Sequence, residues 1–170
     1  PTQDPRPDGL RRADSLVVVN TGNGKGKSSS AFGMMIRAVA RDWHVAVVQF
    51  IKSGNWNVGE EKIGRQLGVD WYAFGEGFTW DSEDLTNDIE HAEAGWAKAC
   101  ELISAGDHQL LIFDELTYLS SFGWLPIERI AEASAVLCDL RWLEAVRVVL
   151  TRARRQGVPT ILDADLGGRE

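Results

Sequence analysis

The chain has 170 residues, which is enough for one domain with a sizeable hydrophobic core. Hydrophobic residues make up 44% and charged residues 25% of it, which is the usage of a folded globular protein rather than a disordered one. A net charge of −7 argues against a general nucleic-acid binder, and no apolar run is long enough to span a membrane. The first residues lack the apolar stretch of a secretory signal, so we expect a cytoplasmic protein.

Short apolar runs and helical patterns alternate along the chain. Residues 1–14 are rich in proline and arginine and predict a flexible N-terminal arm. Apolar runs predict strands at residues 16–20, 45–50, 69–74, 110–113 and 135–138, with a sixth beginning at residue 160. Helical spacing predicts helices at residues 28–40, 60–66, 85–104, 127–133 and 141–156. We therefore expect residues 15–170 to form a single α/β domain, a three-layer sandwich around a mainly parallel sheet.

A glycine-rich loop lies between the first predicted strand and the first predicted helix. It reads Thr21-Gly22-Asn23-Gly24-Lys25-Gly26-Lys27-Ser28 and is followed by Ser29. Glycines let consecutive amides face phosphate oxygens, and the helix N-terminus adds a partial positive charge. Lys27 would contact the phosphates as a point charge and the Ser28 hydroxyl would bind Mg²⁺, although Thr21 stands where the usual Walker A pattern has its first glycine. The loop predicts a nucleotide site at residues 21–29 and a fold like that of P-loop NTPases.

An acidic pair, Asp114-Glu115, ends the fourth predicted strand. A carboxylate at this point can hold the Mg²⁺ of a P-loop site directly or through water. Acidic residues often end strands, so the pair predicts a metal site only in combination with the glycine-rich loop. We predict that Ser28, Asp114 and Glu115 bind the metal, and that Lys27 and Glu115 have catalytic roles.

Four motifs in order resemble those of a known family. They are the loop with Asn20 before it, Val48-Gln49-Phe50-Ile51-Lys52, Gly77-Phe78-Thr79-Trp80 and Asp114-Glu115-Leu116-Thr117-Tyr118. Together they span about residues 15–130 and resemble the P-loop corrinoid adenosyltransferases of bacterial cobalamin biosynthesis and salvage, whose loop departs from the usual Walker A pattern in the same way. The resemblance implies a transferase in which the Co(I) of a reduced corrinoid attacks C5′ of ATP and inorganic triphosphate leaves.

The resemblance also implies the partners of the reaction. ATP, Mg²⁺ and cob(I)alamin or a precursor corrinoid would bind, with neither nucleic acid nor membrane as a partner, and the chain would form a homodimer. Phe78 and Trp80 would contact the lower face of the corrin and exclude water from it. Without the resemblance, ordinary packing beneath a loop is the preferred explanation of these two aromatic residues.

The C-terminal part departs from this family's pattern. Residues 135–165 resemble instead a strand-helix-strand fragment of ribokinase-type sugar kinases, a Rossmann-like βαβ unit. Two interpretations follow: a divergent family member, or a chimera with a fusion junction near residue 133. The second makes the chain a nucleotide-binding P-loop scaffold with little or no turnover. A third candidate function is an ordinary P-loop phosphotransferase or ATPase.

Overall fold

A parallel β-sheet forms the centre of the protein. The computed structural model describes residues 16–21, 24–53, 59–75, 85–132, 138–140 and 160–164. The strands within these residues are β1 (Val17–Thr21), β2 (Val45–Ser53), β3 (Asp70–Gly75), β4 (Leu110–Asp114), β5 (Cys138–Leu140) and β6 (Thr160–Ala164). They lie in the order β3-β2-β4-β5-β1-β6, and each pair of neighbours runs parallel. The predicted α/β fold with a mainly parallel sheet is therefore confirmed.

Helices connect the strands and pack on both faces of the sheet. They are α1 (Lys27–Val39), α2 (Gly59–Gln66), α3 (Leu85–Ala105), α4 (Leu116–Ser121) and α5 (Ile127–Glu132), counted over the described ranges. Among these helices, none has the length and apolar character needed to cross a membrane.

Alternate residues of the central strands enter two different hydrophobic clusters. On one face, Val47 of β2 and Ile112 of β4 pack with Phe32 of α1. On the other face, Val48 and Phe113 pack with residues of α3 and α4. Successive side chains of a strand point to opposite faces, so continuous apolar runs are what a sheet covered on both sides requires. The three layers predicted from the sequence are confirmed.

Two elements differ from the sequence predictions. The fifth strand was expected at residues 135–138, but β5 runs from Cys138 to Leu140, and residues 133–137 lie outside the described ranges. The helix α4 was not predicted. It ends in a left-handed glycine, Gly123, whose amide donates to the Ser120 carbonyl, as is typical of a helix C-terminus. The predicted N-terminal arm and the predicted helix at 141–156 also lie outside the described residues.

Gly75 allows β2 and β3 to approach closely at the end of their pairing. The register between the two strands shifts between Gln49 and Ser53 of β2. A Cβ atom at Gly75 would lie 1.7 Å from the carbonyl oxygen of Ile51, which is far inside any van der Waals contact. Only glycine fits this position without moving one of the two backbones.

Candidate active site

The glycine-rich loop and the acidic pair lie at one edge of the sheet. The loop joins the end of β1 to the start of α1, and β4 ends at Asp114. Because the strands are parallel, these ends belong to the carboxyl edge, where open α/β sheets bind their ligands. The structure thus brings together two motifs that are about 90 residues apart in the sequence.

Gly26 begins α1 in a conformation that favours glycine. Its φ of 109° lies in the left-handed region, and its carbonyl accepts the first helical hydrogen bond, from the Ser30 amide at 2.8 Å. Gly26 has no side chain with which to cap the helix, and the first turn contains no acidic residue. The first-turn amides therefore have no capping carboxylate or hydroxyl from Gly26, which is the arrangement that receives a phosphate group.

Lys27 and Asn20 tie the loop to its flanking elements. The Lys27 ammonium donates a hydrogen bond to the Gly24 carbonyl, so the side chain lies back along the loop. The Asn20 side chain, buried at the end of β1, donates to the Lys27 carbonyl at 3.3 Å. These contacts hold the first turn of α1 against β1 and keep the positive charge of Lys27 beside the loop.

Ser28 and Asp114 meet across the site. The Ser28 hydroxyl donates to Asp114 Oδ1 at 2.9 Å, and Asp114 is 3% exposed. A hydroxyl and a carboxylate are oxygen donors of the kind that Mg²⁺ prefers, and Mg²⁺ usually takes only one or two carboxylates with substrate phosphates completing its shell. In the part of the chain that the structure describes, no group of three or more acidic, histidine or cysteine side chains is placed to hold a metal. The donor set of Ser28 and Asp114 fits an Mg²⁺ ion whose remaining ligands come from substrate phosphates.

Two further side chains extend this contact into the core. Gln49 Nε2 donates to Asp114 Oδ2 at 2.9 Å, and the Trp71 indole nitrogen donates to Gln49 Oε1 at the same distance. Gln49 and Asp114 are direct partners in the parallel register of β2 and β4. A hydrogen-bonded chain therefore runs from Ser28 through Asp114 and Gln49 to Trp71.

Glu115 has an unusual backbone conformation for its residue type. Its φ of 66° is in the left-handed region, and it stands between the end of β4 and the start of α4. A non-glycine residue held there costs on the order of 1 kcal/mol, and such positions concentrate at functional sites. Its side chain is partly buried. The conformation makes a sharp turn directly after Asp114.

Cys100, on α3, has the properties of a packing residue. Its side chain is partly buried against the cluster that contains Phe113. Burial raises the pKa of the Cys100 thiol, and the positive charge of Arg129 lowers it by less. Nucleophilic attack needs the thiolate, so a thiol kept protonated in this way is poorly suited to covalent catalysis.

Several predicted site residues cannot be placed. Gly22, Asn23, Phe78 and Trp80 lie outside the described residues, and Thr21 is described only as the last backbone position of β1. Of the remaining loop residues, Gly24 and Lys25 precede α1, and Ser29 is an exposed residue of its first turn.

Sequence reasoning missed three residues of the site. It assigned no role to Asn20, Gln49 or Trp71, although all three are buried and hydrogen-bonded here. For Gln49 the signal was present, because an amide stands in the apolar run of β2 and must find partners when buried. Trp71 carried no comparable signal, since a tryptophan in a buried strand is ordinary packing.

Comparison with known families agrees with this geometry. A family model described as ATP:corrinoid adenosyltransferase BtuR/CobO/CobP matches residues 13–159. The chain belongs to the ATP:corrinoid adenosyltransferase family. The match continues beyond residue 130, where the sequence motifs had ended, and it crosses the fusion junction considered near residue 133. The chimeric scaffold is therefore not favoured as an explanation of the chain.

Curated relatives carry the same family name. A corrinoid adenosyltransferase of Pseudomonas aeruginosa is 41% identical over 141 residues, which are 82% of this chain and 66% of that protein. One from Escherichia coli is 37% identical over 118 residues, and one from Salmonella typhimurium is 36% identical over 118 residues. Each of these two matches covers 69% of this chain and 60% of the relative. The matches to this chain thus span between 60% and 66% of the length of these corrinoid adenosyltransferases.

Proposed function

We propose that the protein transfers the adenosyl group of ATP to the Co(I) centre of a reduced corrinoid and releases triphosphate. The observation that carries this proposal is the family match together with the loop geometry, in which Lys27 lies back along the loop and Ser28, in the first turn of α1, contacts Asp114. In the reaction, the cobalt electron pair forms a bond to C5′ of the ribose. The bond between C5′ and the α-phosphate oxygen breaks, and its electron pair leaves with the triphosphate.

The loop would act mainly on the leaving group. Negative charge grows on the α-phosphate side as the C5′–O bond breaks, and donors already aimed at that charge lower the barrier without reorganising. Lys27 and the amides after Gly26 supply such donors. The nucleophile belongs to the corrinoid, so the protein has to hold two substrates in line rather than provide a nucleophile of its own.

Ser28, Asp114 and Glu115 would hold Mg²⁺ on the triphosphate. The metal would supply additional positive charge to the departing phosphates. The support is the donor set, a hydroxyl and a buried carboxylate already in contact, followed by a second carboxylate in a constrained conformation.

The corrinoid would bind beside the same edge of the sheet. Phe78 and Trp80 belong to the segment between Gly75, the last residue of β3, and Leu85, the first of α3. Since β3 ends at the carboxyl edge, that segment is attached where the loop and Asp114 are. Two aromatic side chains would present a flat apolar surface to the corrin and keep water from the cobalt.

The same proposal includes a homodimer in the cytoplasm as the working form.

The decisive experiment is product analysis under strongly reducing conditions. The protein is incubated without oxygen with ATP, Mg²⁺ and chemically reduced cobalamin, and the products are separated by chromatography. We expect adenosylated corrinoid and intact triphosphate in equal amounts. ADP and phosphate without an alkylated corrinoid would instead indicate an ordinary P-loop ATPase, and nucleotide binding without any product would indicate a scaffold.

Replacing Trp80 by alanine should separate the two substrates. We expect Trp80→Ala to leave ATP affinity unchanged and to impair corrinoid adenosylation, because stacking on an aromatic ring contributes to the second substrate alone. ATP affinity is measured by calorimetry, and adenosylation is measured from the absorbance change of the corrinoid. Equal losses in both measurements would show that Trp80 is a core residue instead.

A further inference from the structure

We propose that Gln49 is a positioning residue that fixes the Asp114 carboxylate for binding of the magnesium–triphosphate pair. The inference rests on the proposed function, because it assigns supporting residues to the metal site named there. It is drawn from a buried network that neither the motifs nor the family names assign.

The direction of each hydrogen bond in the network follows from residue chemistry. An indole nitrogen can only donate, so the Gln49 oxygen must face Trp71, and the Gln49 amide nitrogen must then face Asp114. Gln49 is fully buried, and the rotated amide would place two acceptors, its oxygen and Asp114 Oδ2, against each other. The Trp71 indole therefore determines that Gln49 presents a donor to Asp114.

Trp71 is itself held from three directions. Its ring centroid lies 5.4 Å from that of Phe32, a residue of the helix that the phosphate loop opens. A Cβ at Gly64 would lie 2.7 Å from two ring atoms, so the glycine leaves space for the indole. The Arg65 guanidinium donates to the Trp71 carbonyl at 2.8 Å. The donor that orients Gln49 thus belongs to a closely packed part of the core.

The consequence reaches Ser28. With Oδ2 of Asp114 held by Gln49, Oδ1 is directed to the Ser28 hydroxyl, which donates its only hydrogen there. A hydroxyl that donates its hydrogen keeps its lone pairs as acceptors, and these are what a cation needs. Gln49 would therefore prepare two of the three proposed metal ligands, Ser28 and Asp114, before the nucleotide arrives, without touching substrate or metal.

The test compares ATP affinity with and without magnesium. Dissociation constants for ATP are measured by calorimetry in excess Mg²⁺ and in EDTA. The dissociation constant in EDTA divided by that in Mg²⁺ is the magnesium ratio, which reports how much the metal strengthens ATP binding. We expect Gln49→Met, which keeps the length of the side chain but neither hydrogen bond, to lower that ratio on the order of tenfold, the loss of one hydrogen bond to a charged group. Affinity in EDTA should stay unchanged. Trp71→Phe should lower the ratio in the same direction by less, and it keeps the test decisive if Gln49→Met does not fold.

Val48→Ala is the matched control. Val48 is the next residue of β2, is fully buried and faces the opposite hydrophobic cluster, so its truncation disturbs the core without touching Asp114. We expect its magnesium ratio to equal that of the wild type. A wild-type ratio in both Gln49→Met and Trp71→Phe, or an equal loss in EDTA and in Mg²⁺, would overturn the positioning role alone. If the wild-type protein bound ATP equally well in Mg²⁺ and in EDTA, the metal assignment would be overturned as well. Product analysis tests the adenosyl transfer independently of both results.

Discussion

The Lys27→Ala variant is expected to bind ATP about 10 to 160 times more weakly than the wild type, a loss of about 1.5–3 kcal/mol. Lys27 carries a positive charge beside the phosphate loop, and a charge-assisted contact to phosphate is about twice as strong as a neutral one. Adenosyl transfer should fall at least as much, because the same charge would stabilise the departing triphosphate. Calorimetry gives the first quantity and the corrinoid absorbance gives the second.

Arg37→Ala provides the control for charge. Arg37 is an exposed cation in the last turn of α1. Its replacement by alanine therefore removes the same charge from the same helix, at the end far from the loop. ATP affinity should be unchanged in this variant, since exposed charges separated by more than about 10 Å are largely screened in 0.1 M salt. An ATP affinity that survives Lys27→Ala would remove the phosphate-loop assignment from the proposed function.

The Gly75→Ala variant is expected to lose more than about 2 kcal/mol of its free energy of unfolding, at the upper part of the range for overpacked sites. The added Cβ would overlap the Ile51 carbonyl, a backbone atom that cannot rotate away as a side chain can. The ends of β2 and β3 would have to separate. Because the segment with Phe78 and Trp80 follows Gly75 directly, we expect the rate of corrinoid adenosylation to fall by a larger factor than the affinity for ATP.

Gly33→Ala is the matched control for this substitution. Gly33 lies in the interior of α1, where an added Cβ would meet nothing within 4 Å. Alanine is the better helix former, so this variant should gain about 0.5–1 kcal/mol. Urea denaturation of both variants measures the two changes, and similar stabilities for Gly75→Ala and the wild type would show that the strands tolerate a wider separation.

The sequence was sufficient for the parts of the fold that local pattern determines. Runs such as Leu110–Phe113 and the glycine-rich loop predicted β4 and the start of α1 correctly, because a strand covered on both sides and a phosphate loop each have a distinctive local composition. The fifth predicted strand, residues 135–138, shares Cys138 with β5, whose described residues Cys138–Leu140 pair with β1 and, at Cys138, with β4. These pairing partners are not encoded in the local pattern.

The supporting residues of the site could not be predicted from local pattern. Trp71 lies 22 positions from Gln49, and Gln49 lies 65 positions from Asp114. Their contacts depend on the register in which β2 pairs with β3 and β4, which fixes where side chains of different strands meet. A glutamine in a buried strand predicts that hydrogen-bond partners exist, but the pairing of the strands determines which residues they are.

The glycine at the start of α1 has a consequence for the thermodynamics of the whole chain. A serine or aspartate at this position would accept a hydrogen bond from a first-turn amide, and Gly26 forgoes that contribution, which is on the order of a few tenths of a kcal/mol. A triphosphate bound to the first-turn amides would supply the missing acceptors, so the nucleotide would complete the helix as well as occupy the site. By mass action, ATP at a hundred times its dissociation constant would add about 2.7 kcal/mol to the free energy of unfolding. The melting temperature would then rise with the cellular ATP concentration, and the nucleotide-free protein would be the form most susceptible to proteolysis.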